Sequence, residues 1–293
     1  MSSGTPAIRG ALGPRASWLL LSPLLLLLAF AFFWPIVNLL SRSVFTPEPS
    51  LQNYERLASD ALYWRIFGRT FWISFWCCVL SLLLGYPVAY AMARLSGWRA
   101  AVVAACVLIP LWTSVLVRSY AWVFLLQRQG VVNSVLLEAG LIGAPLRMLY
   151  TEGAVLMAMT HVLLPFMILP IYASAERFDF RLAEAAYDLG ATKAKVLRRI
   201  VLPAVRPGII AGLILVFIPA LGSYLAPELL GGGKTSMIAN VIAAQFGASR
   251  NWPFGAALSV MVLVLVMVAL VIFAVVARRS SRRGANQSLE SLL

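Results

Sequence analysis

The 293-residue sequence predicts an all-α integral membrane protein with six transmembrane helices. Hydrophobic residues make up 61% of the chain and charged residues only 12%, whereas a soluble domain carries about a quarter charged residues. Six apolar runs are long enough to cross a bilayer, which takes about 20 residues. The alternating pattern of transmembrane β-strands is absent, so helices are the expected spanning elements. The runs cover residues 17–40, 69–95, 100–126, 153–175, 208–229 and 255–277.

Basic residues are concentrated in alternate connecting segments, and this predicts the orientation of the chain. If the N-terminus is cytoplasmic, the cytoplasmic segments carry 15 of the 24 Lys and Arg residues. Two precede the first span, two lie at 94–99, seven at 176–206 and four after residue 277. Because an excess of Lys and Arg marks the cytoplasmic side, we expect an N-in, C-in topology. The basic cluster at 277–283 is then a stop-transfer anchor, and no nucleic-acid partner is expected.

We expect residues 1–293 to form one transmembrane domain, because neither an internal repeat nor a soluble segment is visible. The chain has one histidine, and its three cysteines fall inside spans without metal-ligand spacing. No metal site is therefore predicted, and the spans lack the convergent groups of a membrane-embedded enzyme. Prolines inside spans are expected to bend helices, as in transporters that line a pathway with broken helices. These prolines are Pro87, Pro110, Pro165, Pro170 and Pro219.

The three longer connections 41–68, 127–152 and 230–254 are placed outside, each with a short surface helix. The last of them contains Gly-Gly-Gly-Lys-Thr-Ser at 231–236, which is similar to a phosphate-binding loop. That motif needs a glycine six residues before its lysine, and the position is occupied by Glu228. The segment also follows a membrane span instead of a strand. It is therefore expected to be a flexible turn, and the chain is not expected to bind ATP.

The cytoplasmic connection 176–206 has the pattern of two short helices that meet at a glycine. Asp179 is suited to accept from free amides at the start of the first helix, and Thr192 at the start of the second. Gly190 stands where a helix end needs a left-handed residue. Leu182, Ala185, Ala186 and Leu189 form one apolar stripe at helical spacing. Such a stripe either packs on its own bundle or receives a partner protein.

This connection resembles the EAA motif of permease subunits of ABC importers. Glu184, Ala185 and Ala186 precede Gly190, and Ile200, Leu202 and Pro203 follow at the motif's spacing. The resemblance implies a type I importer permease fold in which residues 176–206 are the coupling loop that docks on an ATPase. The docking residues would be Glu184, Ala185, Ala186, Asp188, Leu189, Gly190, Ala191 and Thr192, with Ile200, Leu202 and Pro203 tying the loop to the fifth span.

The same resemblance implies the partners and the division of labour. The expected assembly contains this chain, a second homologous permease, two ATPase subunits and an extracytoplasmic solute-binding protein in a bacterial inner membrane. ATP and magnesium would be bound by the ATPase subunits, so this chain would carry no cofactor and would not be an enzyme. An ion-coupled secondary transporter is the alternative class, but it predicts acidic relays within the spans, and these are nearly absent.

From about residue 69 to residue 260 the sequence is most similar to spermidine/putrescine permeases, in stretches such as "LIPLWTSVLVRSYAWVFLL" and "NWPFGAAL". The resemblance implies import of a small organic cation, with a polyamine as the expected solute. Related permeases for iron, phosphonates or amino-acid derivatives share parts of these stretches and remain alternatives.

A cation in a low-dielectric pathway needs carboxylates or aromatic faces, and this selects the candidate pathway residues. They are Trp112, Thr113, Tyr120, His161, Tyr224 and Glu228. The aromatic members are also suited to anchor span ends at the membrane interface. Glu228 is the single carboxylate of the set, so the second permease would have to supply others. Arg118 would repel a cation if it faced the pathway.

Overall fold

The computed structural model describes residues 14–45 and 48–290, and the side chains at 18–45 and 48–275. This part of the chain is helical, apart from an isolated bridge between Phe45 and Pro49, so the all-α prediction is confirmed. The helices are α1 (Pro14–Ser41), α2 (Gln52–Ser59), α3 (Ala61–Arg94), α4 (Gly97–Trp112), α5 (Val115–Leu126), α6 (Val131–Glu138), α7 (Glu152–Glu176), α8 (Arg181–Asp188), α9 (Lys193–Val196), α10 (Leu202–Leu221), α11 (Leu225–Gly231), α12 (Ile238–Phe246) and α13 (Trp252–Glu290). A π-helical turn at Leu197–Val201 joins α9 to α10.

Five helical stretches of the described chain are long and apolar enough to cross a membrane. They are Trp18–Ser41, Ala61–Arg94, Glu152–Glu176, Lys193–Leu221 and Trp252–Val275. A sixth crossing requires α4 and the segment Val115–Glu138 to act as one span, although they meet at a bend of 102°. The predicted run 100–126 is therefore not one straight helix.

The bend between α4 and α5 has a local cause. Pro110 lacks an amide for the helical ladder, and Thr113 two residues beyond Leu111 takes an extended conformation with ψ 143°. Ser114 then starts α5, because its hydroxyl accepts from the Leu116 amide at 3.2 Å. By contrast, Pro87 lies inside the continuous helix α3. Proline alone therefore does not break these helices, whereas a proline followed by a capping serine does.

The predicted fifth run, 208–229, also divides into two helices. The stretch Lys193–Leu221 ends at Leu221, and Gly222–Tyr224 separates it from α11. Pro227 lies in the first turn of α11, where its missing amide costs no helical bond. The sequence-based expectation that Tyr224 and Glu228 lie late in the same helix as residues 208–221 is therefore wrong. Tyr224 lies in the segment that connects the two helices, and Glu228 lies in the separate short helix α11.

The core of the molecule is the contact of α7 with α3 on one side and α10 on the other. Gly85 of α3 faces Met167 and Ile168, where an added Cβ would lie 3.2 Å from both side chains. Gly208 and Gly212 of α10 face the same part of α7. A methyl group at 208 would overlap the backbone of Pro170 and Ile171. Small residues spaced four apart allow this close approach, as in other membrane helix pairs.

The remaining long helices and the surface helices surround this core. The most hydrophobic part of α1 has no buried residue. The helix contacts α13. The three surface helices expected in the outer connections are present as α2, α6 and α12. Of these, α12 packs against α13 and α3, where Ile238, Phe254 and Leu258 form a small buried cluster with Tyr63. The outer connections therefore cover one end of the core.

We expect Gly208→Ala to lower the stability of the detergent-solubilised protein. The new methyl would meet backbone atoms of α7, which cannot rotate away, and overpacking of this kind costs about 1–3 kcal/mol. Gly68→Ala is the matched control, because Gly68 lies in α3 with open space where a Cβ would be added. It should leave stability unchanged or raise it by up to about 1 kcal/mol. Thermal unfolding of both variants tests this, and equal midpoints would contradict the close-approach interpretation.

Candidate functional site

The connection 176–206 folds as its local sequence predicts. The Asp179 carboxylate accepts from the Arg181 amide at 3.0 Å, and α8 ends before Gly190. Gly190 has φ +80°, a left-handed conformation that favours glycine. The Thr192 hydroxyl accepts from the Lys195 amide at 3.4 Å and starts α9. The helix–glycine–helix arrangement is therefore present.

The apolar stripe on α8 is arranged differently from the sequence-based expectation. Ala183 is the buried residue, 5% exposed, and it packs with Val196 and Val201. Ala186 lies half-buried against the same cluster. Leu182 and Leu189 are 58% and 89% exposed, and Ala185 is exposed between them. The stripe is therefore split: one edge packs on the bundle, and the edge formed by Leu182, Ala185 and Leu189 has no cover within the described chain.

Of the other predicted residues of this connection, some pack on the bundle and some are exposed. Ala191 and Ile200 are half-buried against the cluster of Ala183. The residues exposed to the surroundings are Glu184, Asp188, Thr192, Leu202 and Pro203. Leu202 and Pro203 open α10, so the connection passes directly into a core helix. A force applied to the exposed edge would therefore reach α10 through continuous backbone.

A second attachment of this connection, to the end of α3, was missed by sequence reasoning. The Arg94 guanidinium lies 5.5 Å from the centre of the Phe180 ring, and its Nη2 is 3.9 Å from Glu184 Oε1. The Tyr90 ring meets Phe180 edge-on at 5.8 Å and stacks on Tyr86 at 6.3 Å. Tyr86, Tyr90 and Arg94 are spaced four residues apart and so lie on one face of α3. This spacing was the sequence signal from which the attachment could have been predicted.

The predicted pathway residues near the bend are exposed. Trp112 is 92% exposed at the end of α4. The Thr113 hydroxyl donates to the Pro110 carbonyl at 2.8 Å, so it helps to end that helix. Tyr120 on α5 is 54% exposed. The bent pair thus presents two aromatic faces that no described residue covers.

His161 makes a specific contact with α5. The Trp122 indole N–H donates to His161 Nδ1 at 3.2 Å, and the two rings meet edge-on. Arg118 is 8% exposed, and its Nη1 donates to the Val162 carbonyl at 3.3 Å. Its Nε is buried without a partner among the described residues. The guanidinium is therefore packed between α5 and α7 and does not extend outward along the surface.

Glu228 is held by a residue that sequence reasoning did not select. Asn240 of α12 donates to Glu228 Oε2 at 2.7 Å and to the Tyr224 carbonyl at 3.1 Å. Asn240 is 6% exposed, and its oxygen also accepts from the Met237 amide at 3.1 Å. Glu228 shares a cavity of about 520 Å³ with Arg147 and Lys234. The carboxylate is therefore oriented from one side and faces a cavity to which two basic residues also contribute.

The Gly-Gly-Gly-Lys-Thr-Ser segment is an anchored turn and not a phosphate cradle. The amides of Lys234 and Thr235 both donate to the Gly231 carbonyl at 3.2 Å, so these donors are already used. Arg69 Nη1 donates to the Lys234 carbonyl at 2.8 Å and ties the turn to α3. Gly232 has φ +56° and lies against the Tyr150 ring, where a side chain would clash. These contacts show an ordered turn in place of the flexible one expected.

The structure brings the candidate pathway residues together in two groups. One joins His161 to Trp122, and the other joins Tyr224 to Glu228 through Asn240. Within the described part of the chain, no hydrogen bond or ring contact links these groups to Trp112 or to each other. The side chains that would hold a metal ion are not clustered anywhere in the described residues.

Residues 81–282 match the family described as binding-protein-dependent transport system inner membrane components. The match spans more than half of the chain and includes both the 176–206 connection and the outer polar groups. The chain belongs to this family. The family membership confirms the resemblance to importer permeases that the 176–206 connection indicated.

Two relatives and one solved structure illustrate the likeness. The spermidine/putrescine transport system permease protein PotB of Haemophilus influenzae is 40% identical over 263 residues, which cover 88% of each chain. PotB of Escherichia coli strain K12 is 38% identical over 224 residues, 76% of this chain and 81% of that one. A bacterial alginate ABC transporter, crystallised with an alginate pentasaccharide-bound periplasmic protein, aligns with a TM-score of 0.71 at 22% identity. That alignment covers 92% of this chain and 96% of the other, and it concerns the fold.

We expect Asn240→Ala to destabilise the outer end of the molecule and to release Glu228. The substitution removes three hydrogen bonds and leaves the buried Met237 amide unpaired, at a cost of about 1–3 kcal/mol. Gln245→Ala in the same helix is the control, because the Gln245 side chain makes no hydrogen bond to the described residues. Thermal unfolding should separate the two variants. Equal midpoints would mean that Asn240 does not hold this region.

Proposed function

We propose that this chain is a transmembrane permease subunit of an ABC importer that moves a small organic cation, with spermidine or putrescine as the solute. One observation carries the solute: a relative that shares 40% identity over 88% of both chains is named as a spermidine/putrescine permease. Identity at this level, extending over nearly the whole length, supports a common solute class. As a transport subunit, the chain makes no covalent contact with the solute and is not an enzyme.

The proposed topology has six crossings with both termini in the cytoplasm of a bacterial cell, across its inner membrane. The bent pair of α4 and α5 counts as the third crossing, and α6 follows it. The basic segment 176–206 then lies on the cytoplasmic side, where Lys and Arg are favoured. The anchored turn 231–236, α2, α6 and α12 then lie outside, where a solute-binding protein would arrive.

The exposed edge of α8 supports docking of an ATPase. Leu182, Ala185 and Leu189 form an apolar edge that nothing in the described chain covers. Gly190 turns the chain sharply at the end of this edge, so that α8 projects as a short rigid element. Two ATPase subunits, which bind ATP and magnesium, would grip this edge in each of two permeases. Their nucleotide-driven closure would then move α10 through the π-helical turn and switch access between the two sides.

Some of the candidate pathway residues have the chemistry that a cation pathway needs. Trp112 and Tyr120 present exposed aromatic faces to which a cation is attracted. Glu228 offers one oriented carboxylate oxygen. A polyamine carries several charges, so the second, homologous permease would supply further carboxylates from its side of a shared pathway. Thr113, His161 and Tyr224 remain candidate lining residues in this proposal.

A second candidate solute class is favoured by one observation. Arg147 and Lys234 flank Glu228 in the same cavity, and a mixture of one acidic and two basic groups fits a zwitterionic or anionic solute. An amino-acid derivative, a phosphonate or complexed iron would then replace the polyamine. The ABC-importer mechanism would be unchanged.

Uptake by the assembled transporter tests the proposal. The complex is purified from its host through a tag on this chain, its subunits are identified by mass spectrometry, and it is reconstituted with its binding protein in vesicles. We expect ATP-dependent, saturable uptake of labelled spermidine that unlabelled putrescine reduces and that an amino acid, a phosphonate or ferric citrate does not. ATP-dependent uptake of one of those solutes instead would replace the polyamine. Uptake driven by an ion gradient without ATP would contradict the proposal that the complex is an ABC importer.

A matched pair of glycine variants tests the docking edge. Gly190 and Gly97 both have positive φ, +80° and +64°, and both have open space where a Cβ would be added. Alanine at either position costs about 1–2 kcal/mol of local backbone energy. We expect Gly190→Ala to reduce both the ATPase that co-purifies with the chain and the uptake, whereas Gly97→Ala retains both. If the two variants retained equal amounts of ATPase, residues 176–206 would not be the docking element.

A further inference from the structure

The helix α3 makes polar contacts at both of its ends with the two segments that the transport cycle would have to connect. Its inner end, at Arg94, meets the connection 176–206, and its outer part, at Arg69 about two turns after the helix begins, meets the turn 231–236. We propose that α3 transmits movement of the docking loop to the outer turn, with Arg94 and Arg69 as the positioning residues at its two ends. The inference rests on the proposed function, since it assigns a route to the coupling between ATPase and pathway.

At the inner end, Arg94 holds the segment that leads into α8. Its guanidinium lies above the Phe180 ring at 5.5 Å and above the Tyr90 ring at 5.9 Å. The Tyr90 ring in turn meets Phe180 edge-on, and Phe180 meets Phe178 at 5.2 Å. The ion pair with Glu184 is long, 3.9 Å, and both side chains are about half exposed or more. The aromatic contacts therefore carry the attachment, while the Glu184 carboxylate is free to exchange Arg94 for a partner on the ATPase.

At the outer end, Arg69 joins three elements. Its Nε pairs with Glu152 Oε1 at 3.2 Å in the first turn of α7, and its Nη1 donates to the Lys234 carbonyl at 2.8 Å. The next residue, Thr70, is buried, and its hydroxyl accepts from the Ile238 amide at 3.0 Å. Two successive residues of α3 thus hold the chain between α11 and α12. This segment connects α11, which carries Glu228, to α12, which carries its hydrogen-bond partner Asn240.

Between these ends, α3 is continuous and supported by the core. It runs from Ala61 to Arg94 without a break, so its two arginines are separated by roughly 37 Å at about 1.5 Å per residue. Packing against α7 and α10 keeps it from bending freely. The other helix that meets the docking loop, α10, ends at Leu221, and Gly222–Tyr224 interrupt it before α11. A displacement at Phe180 therefore has a stiff route to the outer turn along α3.

The test is a double-mutant cycle in the complete transporter, with solute moved per ATP hydrolysed as the readout. We expect Arg94→Ala and Arg69→Ala each to lower this ratio by about fivefold or more while ATP hydrolysis continues. The double variant should be no worse than the poorer single variant, because either substitution already interrupts the route. Effects that multiply in the double variant would mean that the two arginines act independently, and would overturn the proposal.

Controls separate this role from a general loss of structure. Arg65→Ala changes an exposed arginine one turn before Arg69 on the same helix and should retain the wild-type ratio. Arg94→Lys keeps the charge beside Glu184 but loses the planar stacking on Phe180, so it should behave like Arg94→Ala. Recovery by lysine would show that charge alone matters and would contradict the aromatic attachment. A ratio in Arg65→Ala as low as in Arg69→Ala would make the effect non-specific.

A second readout does not depend on the identity of the solute. A cysteine replacing Lys234 reports on the outer turn through its rate of reaction with a water-soluble thiol reagent, in a chain where the exposed Cys106 is changed to alanine. We expect trapping of the nucleotide-bound ATPase to change this rate at least twofold, and Arg94→Ala to abolish the change. A change that persists in Arg94→Ala would overturn the route through α3. Failure of the proposed function appears separately, as loss of spermidine uptake by the unaltered transporter.

Discussion

The structure depends on the close approach of three helices around one stretch of α7, at Met167–Ile171. In a lipid environment apolar side chains gain little by leaving the solvent, so helices associate through tight van der Waals packing and polar contacts. Gly85 on α3 and Gly208 and Gly212 on α10 remove side chains where α7 must come near. Because α10 continues directly from the 176–206 connection and Arg94 of α3 packs on Phe180 of that connection, this three-helix contact lies directly behind the connection. The other helices surround α3, α7 and α10, and two of these three helices contact or continue the 176–206 connection.

The two candidate regions are built in opposite ways. The 176–206 connection is defined by local interactions: Asp179 and Thr192 accept from amides two or three residues ahead, and Gly190 takes a left-handed conformation. The outer region is assembled from distant parts of the chain, with Arg69 on α3, Glu152 on α7 and the turn at Lys234 meeting in one place. A local element keeps its shape when it is gripped by another protein. An assembled region changes when its supports move, which is the property required of a gate near a pathway.

This difference explains what could be predicted from the sequence. Apolar length identified the long helices, and short-range rules identified Gly190 and Thr192, because the signals for those two residues lie within one or two turns. The bend after Trp112 was expected as a proline kink, but its size depends on Ser114 capping a new helix, which single-residue rules do not measure. The partners of Arg94 and Glu228 lie far away in the sequence, at Phe180 and Asn240, and no periodicity connects them. Burial of Ala183 in place of the wider stripe also follows from packing against Val196 and Val201, which the helical period alone does not show.

The placement of charge bears on how such a subunit could pass a cation. Arg118 is buried between α5 and α7 and hydrogen-bonded to a carbonyl of α7, so a fixed positive charge lies behind the Trp122–His161 contact. Arg147 and Lys234 line the same cavity as Glu228, so this cavity carries both signs of charge. A pathway must hold its solute strongly enough to admit it and weakly enough to release it. A polycation surrounded only by carboxylates would be trapped. If the proposed pathway is correct, the exposed rings of Trp112 and Tyr120 and the single carboxylate of Glu228 would attract a cation only weakly. The free energy of ATP hydrolysis would then be used to change access and not to dislodge a tightly bound solute.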